Sequence, residues 1–451
     1  MEQTMKTNNI IKGIVAVSLL LLGLASCERV DYPDRYRISK GKPTIDYIRY
    51  ANKDILIDKA YMDETVCVVG QNLTSVVKIL FNDQAAVLNT SFMTDKTLLV
   101  SIPKTKAQVQ TNKIYFISAA ADTVDVDFEV MPPAPLATGM DCEYAKPGTV
   151  AKIYGDYFID LEYVEFQGLN ARVEVDDITY DESEITLTIP ATATPGMIKI
   201  KTKSGLSGSV FHYMDQRGLL FDFDGKTGLY DASNRGWHPQ TVTTDETAID
   251  GNFLQLGDGT AEMKGDGSTW DDGHFSFEYW PGMWESPVET FSQPAGRKLS
   301  DFADFSGYAN MAYKFEMFIP SSNPWKGSAM QIIPSSIYTV HNGDSKGVTD
   351  VDGEALPGCN NKYIGDNSAK YPRALYTPWA DGMVDTGDKW ITVTIPMANI
   401  LYKPDGTPSD GKIDATCFDG LCIFVCNTGG KTGEDCKPII KIDNIRAVPI
   451  K

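Results

Sequence analysis

The residues best suited to chemistry in this chain are its tryptophans. All seven lie between Trp237 and Trp390. Trp280, Trp284 and Trp325 fall at turns or strand ends within FSFEYWPGMWESPVETF, MAYKFEMFIP and SSNPWKG. An indole left exposed in a loop needs a flat apolar partner, and the C–H face of a sugar ring is one. Aromatic stacking of this kind anchors binding hot spots. Hydroxyls taken from water along with such a ring need hydrogen-bond partners. Asn323 and Gln331 lie close to Trp325 in sequence, and Glu285 and Arg297 close to Trp284. These spacings point to carbohydrate binding in the C-terminal half.

Catalysis on such a ligand would need two carboxylates roughly 5–5.5 or 6.5–9.5 Å apart. With 60 acidic residues, pairs such as Asp271/Glu278 and Glu285/Glu289 are too common to discriminate. His212, His238, His274 and His341 are scattered, and no nucleophile elbow, phosphate loop or dinucleotide fingerprint occurs. A surface glycosidase therefore stands behind a non-catalytic binder, alongside an adhesin or assembly scaffold as a third reading. Cys417, Cys422, Cys426 and Cys436 are crowded, but their C-x4-C-x3-C-x9-C spacing fits no zinc ribbon or finger. Cys422 and Cys426 sit in the apolar run GLCIFVCN, where cysteine acts as a small core residue. No metal or cofactor is expected. The exception would be a structural calcium of the kind some jelly rolls carry, at Asp222, Asp224 and Asp443.

Composition and the N-terminus bound the setting. The formal charge is −19. Without residues 1–26, whose Glu2, Lys6 and Lys12 carry one negative and two positive charges, it is −20. That acidity disfavours nucleic acid and acidic glycans as partners. Lys6 and Lys12 precede an apolar run, Ile14 to Leu24, too short to span a membrane and of signal-peptide length. The run ends Leu24-Ala25-Ser26-Cys27, which resembles the lipobox of bacterial lipoproteins. The resemblance implies cleavage after residue 26, lipidation of Cys27 and anchoring in a membrane. Glu28-Arg29-Val30-Asp31 resembles the acidic export signal of surface-exposed lipoproteins of Gram-negative bacteria, which implies the outer membrane, facing outward. Residues 27–40 read as a polar tether.

Behind the tether the chain turns to short strands without a 3.6-residue period, so the class is all-β. A repeat is visible. Gly70-Gln71-Asn72-Leu73 leads through Val77–Asn82 to Leu98–Pro103. Some 85 residues later Gly155-Asp156-Tyr157-Phe158 leads through Val164–Gln167 to Ile185–Pro190. These units, 41–133 and 134–215, resemble IPT/TIG domains, which implies two immunoglobulin-like spacer sandwiches. Asp83 departs from the family glycine that Gly168 keeps. Met131-Pro132-Pro133-Ala134-Pro135 reads as a semi-stiff joint between the copies.

A larger unit, 217–451, opens at Leu219. In Met311–Ile319 the odd-numbered residues are apolar, while Lys314 and Glu316 take the other face. That alternation predicts one buried face and one facing water, as in a jelly-roll-like β-sandwich. Phe302–Tyr308, Asn323-Pro324-Trp325 with Met330–Ile333, and Asp385–Val393 resemble the C-terminal domain of surface glycan-binding lipoproteins from bacterial polysaccharide-utilisation systems. The resemblance implies an aromatic platform for a neutral β-glucan or a hemicellulose such as xyloglucan. It further implies partnership with an outer-membrane importer and surface glycoside hydrolases. Carried onto this sequence, it makes Trp325 and Trp284 platform residues, joined by Trp280, Trp379 and Tyr363. Trp390, beginning the strand of Ile391, Val393 and Ile395, reads as structural, and Trp237 and Trp270 have no clear motif.

Overall fold

The computed structural model describes residues 38–229, 240–280, 298–336 and 368–450. They form two compact units, divided between Pro132 and Pro133. Cys27, Trp237, Trp284, Glu285, Arg297, His238, His341, Cys359 and Tyr363 lie outside the described residues.

The first unit is one sandwich. A three-stranded sheet orders Thr44–Tyr50, Thr65–Gln71 and Thr97–Ser101. A four-stranded sheet orders Gln84–Ala85, Val76–Phe81, Lys113–Ser118 and Thr123–Asp127. A short parallel pair, Lys59–Tyr61 with Glu129–Met131, closes the module. The second copy repeats the plan. Leu136–Met140, Val150–Asp156, Glu184–Thr188 and Thr179–Tyr180 form one sheet, and Arg172–Glu174, Leu161–Gln167, Thr194–Thr202 and Gly205–Tyr213 form the other.

The repeated glycine has the same physical cause in both copies. A Cβ on Gly70 would lie 1.9 Å from the Thr44 carbonyl oxygen, and one on Gly155 would lie 2.0 Å from that of Leu136. Each faces a register shift in the partner strand, between Ile45 and Tyr47 or between Ala137 and Gly139. Only glycine permits so close an approach. The departure at Asp83 is also explained. The left-handed residue there is Asn82 (φ 57°), a type that tolerates this region. Its Oδ1 accepts the backbone N–H of Thr111 at 2.9 Å and of Asn112 at 2.7 Å. In the second copy Gly168 itself carries the positive φ, 124°.

The C-terminal sandwich packs two sheets around one core. A six-stranded sheet runs Val242–Thr243, Phe253–Leu256, Ile440–Pro449, Met311–Phe318, Ile391–Pro396, with Leu219–Phe221 also paired to Ile440–Pro449. A four-stranded sheet runs Ser276–Tyr279, Gly420–Phe424, Met330–Ser335, Ala374–Tyr376. Phe221 bridges them, meeting Phe277 edge-on at 5.0 Å and Tyr279 at 5.2 Å.

One expectation is corrected. Strand Met311–Phe318 is buried along its whole length, so Lys314 and Glu316 do not face water. The second immunoglobulin-like copy, expected as a spacer domain over 134–215, keeps its own pair of sheets and lies in one compact unit with the sandwich. The two observations share a cause. The Arg446 guanidinium holds Glu316 Oε2 at 2.8 Å and Glu143 Oε2 at 2.7 Å, and the Lys314 ammonium holds the other oxygen of Glu143. Thr392 Oγ1 accepts from Glu143 N at 2.7 Å and donates to Glu316 at 2.9 Å. Two cations and two carboxylates balance, which is the condition for burying charge at tolerable cost. Glu143 comes from the second copy and the other members from the sandwich, so the polar face of one module is covered by the other.

The described cysteines Cys67, Cys142, Cys417, Cys422, Cys426 and Cys436 are free thiols. Burial pushes the Cys426 thiol up to about 12, keeping it neutral inside its strand. Among the described residues no three His, Cys, Asp or Glu side chains are grouped to hold a metal.

Candidate functional site

The tryptophans expected to form a platform are mostly core residues. Trp325 is 0% exposed, Trp280 7% and Trp379 9%. The Trp325 Nε1–H donates to the carbonyls of Gly327 (2.6 Å) and Ser328 (3.2 Å), and Trp379 Nε1–H donates to the same Ser328 oxygen at 3.1 Å. Ser328 is buried with φ 58°. Two indoles therefore clamp a left-handed turn, and Trp325, packed 6.1 Å from Tyr376, has no face left for a sugar. Trp325 and Trp280 are corrected from platform to core on this ground. Trp379, almost fully buried, lines an open cleft of 640 Å³ with Lys326, Val384, Lys431 and Glu434.

The polar candidates are also committed internally. Gln331 is buried. Its Nε2 donates to the Cys426 carbonyl at 2.8 Å and its Oε1 accepts from Arg373 at 2.6 Å. Asn323 is half-buried and donates to the Lys437 carbonyl at 3.1 Å. The Asp271 carboxylate caps a one-turn helix, Asp272–Phe275, and contacts the His274 ring at 2.9 Å. Its notional catalytic mate Glu278 is buried. The backbone N–H groups of Ala261 and Thr260 draw the nearby Asp258 carboxyl down to about 2, so it stays ionised as a turn acceptor.

Trp270, which the sequence left without a motif, stands differently. It is 49% exposed, the most exposed of the described tryptophans. Its backbone is fixed on both sides, because Thr269 O accepts from Asn427 N at 2.8 Å and Asp271 caps the next turn. It stands at the end of the outer face of the four-stranded sheet. Phe277 and Tyr279 point inward to Phe221, so by alternation Ser276 and Glu278 face outward. Their register partners Phe424 and Cys422, and in turn Gln331 and Ile333, share that face. Trp270, Arg373 and Pro404 close over it, leaving a gap of about 10 Å³, barely one water. No sugar enters there. The indole's outer surface, with half-exposed Tyr402 on the segment bridged to Arg373, is what this face offers a ligand. Polar residues crowd both sides of Trp270, namely Ser268, Thr269, Asp271 and Asp272. An indole among them is the signal that was available.

Comparison with known proteins decides the family. Residues 213–449, just over half the chain, match the family model described as the surface glycan-binding protein B xyloglucan binding domain. This chain belongs to that family. Its fold agrees with the crystal structure of the surface glycan-binding protein PbSGBP-B from Prevotella bryantii. The two are 39% identical over 92% of this chain and 100% of that one, with a TM-score of 0.70. The surface glycan-binding protein B from a complex xyloglucan utilization locus in Bacteroides uniformis is 15% identical, over 91% of this chain and 100% of that one, at a TM-score of 0.39. An IPT/TIG domain-containing protein of Bacteroides ovatus is 25% identical over 198 residues, 38% of this chain and 38% of that protein's length. As a surface glycan-binding protein B, this chain acts at the cell surface and binds polysaccharide.

Proposed function

We propose that this protein is a non-catalytic binder of a neutral β-glucan or hemicellulose, xyloglucan foremost, that holds the polymer for partners that cut and import it. Cys27, once acylated, anchors it in the outer membrane facing outward, and an importer and surface glycoside hydrolases are its partners. It takes no cofactor in binding. The polymer lies across the outer side of the four-stranded sheet, with the Trp270 indole as one stacking residue.

The observation that carries this reading is the half-exposed Trp270, braced on both sides, in a domain whose family binds glycan. Trp284 and Tyr363 remain proposed stackers. Their segments follow Ser276–Tyr279 and join Met330–Ser335 to Ala374–Tyr376, all strands of that same sheet. The commitments of Asp271 and Glu278 described above favour binding over hydrolysis. Single stacked rings bind weakly, so several along one chain must add up, and long polymers bind more tightly than short oligosaccharides.

The test is affinity electrophoresis of the mature chain against a panel of soluble polysaccharides. Trp270→Ala weakens retardation about tenfold on one neutral glycan, the loss of roughly 1.4 kcal/mol. Trp284→Ala does likewise, and no reducing sugar is released. Unchanged retardation of Trp270→Ala would place the glycan elsewhere, and product release would make the protein a hydrolase.

A further inference from the structure

Where the second module meets the sandwich, a cleft of about 350 Å³ opens with Trp390 in its wall. It lies on the six-stranded side, since Trp390 directly precedes the strand Ile391–Pro396, whereas Trp270 stands over the four-stranded sheet. Its floor is apolar. Cys142 and Ile249 are buried there and pack together with the half-buried indole. Burial holds the Cys142 thiol well above its usual range, so the floor carries no thiolate.

The walls are fixed from both modules. The Trp390 Nε1–H donates to Thr247 O at 2.6 Å, and Phe253 and Phe318 pack against the ring at 5.9 and 5.6 Å. From the second module, Lys146 Nζ donates to Ala248 O at 3.0 Å, and Asp141 O accepts from Thr392 N at 2.8 Å. The cleft is thus shaped before any ligand arrives, which lowers the ordering cost of binding. Its charged lining is Lys146 and Lys389 against Asp141 and Glu246. Two cations balance two carboxylates, so the cleft offers no net field to an ionic ligand. Asp141 Oδ1 is taken by the N–H groups of Cys142 and Lys152, at 2.9 and 3.0 Å. Lys389 and Glu246 are exposed, and neither pairs with another charge among the described residues.

We propose that this cleft is a second carbohydrate site, which takes a short neutral oligosaccharide against Trp390 with its hydroxyls on Lys389 and Glu246. An aromatic wall with a few convergent polar groups is the composition of a sugar pocket, and small-molecule sites span roughly 300–1,000 Å³. A sugar hydroxyl both donates and accepts, so one ring can serve an ammonium and a carboxylate together. The inference rests on glycan binding by the family and not on the platform at Trp270. A recessed cleft suits a chain end or side branch, whereas an open sheet face suits the run of a polymer. Two such sites on one compact unit let a single polymer be held twice, which raises avidity without a new contact at either.

The experiment is an NMR titration of the isotope-labelled mature chain with cellotetraose and, separately, xylotetraose, read at the indole N–H signals. The Trp390 signal is the one missing from Trp390→Phe. It moves saturably with one of the probes, with a Kd of about 1 mM. Ala248→Phe, which fills the cleft, removes that movement and leaves the Trp270 signal responding as before. Should Ala248→Phe not fold, Glu246→Gln combined with Lys389→Ala, both on exposed side chains, weakens the Trp390 response at least ~threefold. A Trp390 signal that stays still at ~10 mM of both probes overturns the proposal. So does a movement that survives unchanged in the filled or the double variant. A movement lost in Trp270→Ala also overturns it, because the two indoles then report one site. A still Trp270 signal beside a moving Trp390 signal keeps this site and removes the platform at Trp270.

Discussion

The two immunoglobulin-like modules share a sequence pattern, a strand plan and a bulge-facing glycine, yet they serve different structural ends. The first is a compact unit by itself. The second contributes Glu143 to a buried four-charge network with Lys314, Glu316 and Arg446, and Tyr144 to the Arg446 face at 4.9 Å. The fold of a repeat is set by its glycines and apolar positions, whereas its role is set by the few residues it directs at a neighbour. Glu143 and Tyr144 lie in a loop just after the strand Leu136–Met140, outside the repeating pattern. The second module therefore shares one compact unit with the C-terminal sandwich.

The most severe way to break this comparison is Arg446→Met. It leaves Glu316 buried without a cation and Glu143 with Lys314 alone, at a cost of about 3–5 kcal/mol to the 133–451 unit. In chemical denaturation the transition of the first module keeps its midpoint. Equal movement of both transitions would contradict the division. A second test uses the paired glycines. Gly155→Ala and Gly70→Ala each force a Cβ into a backbone carbonyl, costing about 1–3 kcal/mol. Gly155→Ala lowers the midpoint of the whole 133–451 unit, sandwich included, and Gly70→Ala that of the first module alone. Tryptophan fluorescence separates them, because every tryptophan lies beyond residue 236. The smallest effect sharpens the comparison within the repeat. Asn82→Ala loses two backbone acceptor bonds and a tolerated left-handed residue, costing about 1–2 kcal/mol. Gly168→Asn in the second copy costs more than its chemistry suggests, because a Cβ there meets the Thr192 carbonyl at 2.1 Å.

The repeat was legible because its determinants are local, namely a glycine where strands crowd, a turn and an alternating run. The all-β class and the family followed from the same patterns. The surface of the sandwich was not legible. Whether an indole in a turn faces out depends on what reaches it from far along the chain. Trp325 is covered partly by Tyr376 and shares the Ser328 carbonyl with Trp379, some fifty residues on. Likewise the Lys/Glu alternation of Met311–Ile319 was read as a wet face. Nothing near that strand in sequence announces that Glu143 and Arg446 neutralise it. Trp270 had no motif for the opposite reason. Its exposure is set by neighbours that are merely polar, a pattern shared by many loops.

The parallel pair of Lys59–Tyr61 with Glu129–Met131 has a mechanical consequence. Under the proposed function, the chain is held at Cys27 while a long polymer drags on its C-terminal half, and that load passes through the first module. Glu129–Met131 is the last strand before the chain leaves the first module at Pro132. Because its partner runs in the same direction, tension on Pro132 pulls the strand lengthwise past its neighbour. The ladder bonds, together with Met62 N to Met131 O at 2.9 Å and Glu129 N to Asp58 O at 2.9 Å, are strained together rather than peeled one at a time. Resistance to force is a matter of the unfolding barrier more than of equilibrium stability. In a module of modest size, three residues of parallel ladder put that barrier at the strand by which the chain leaves the module.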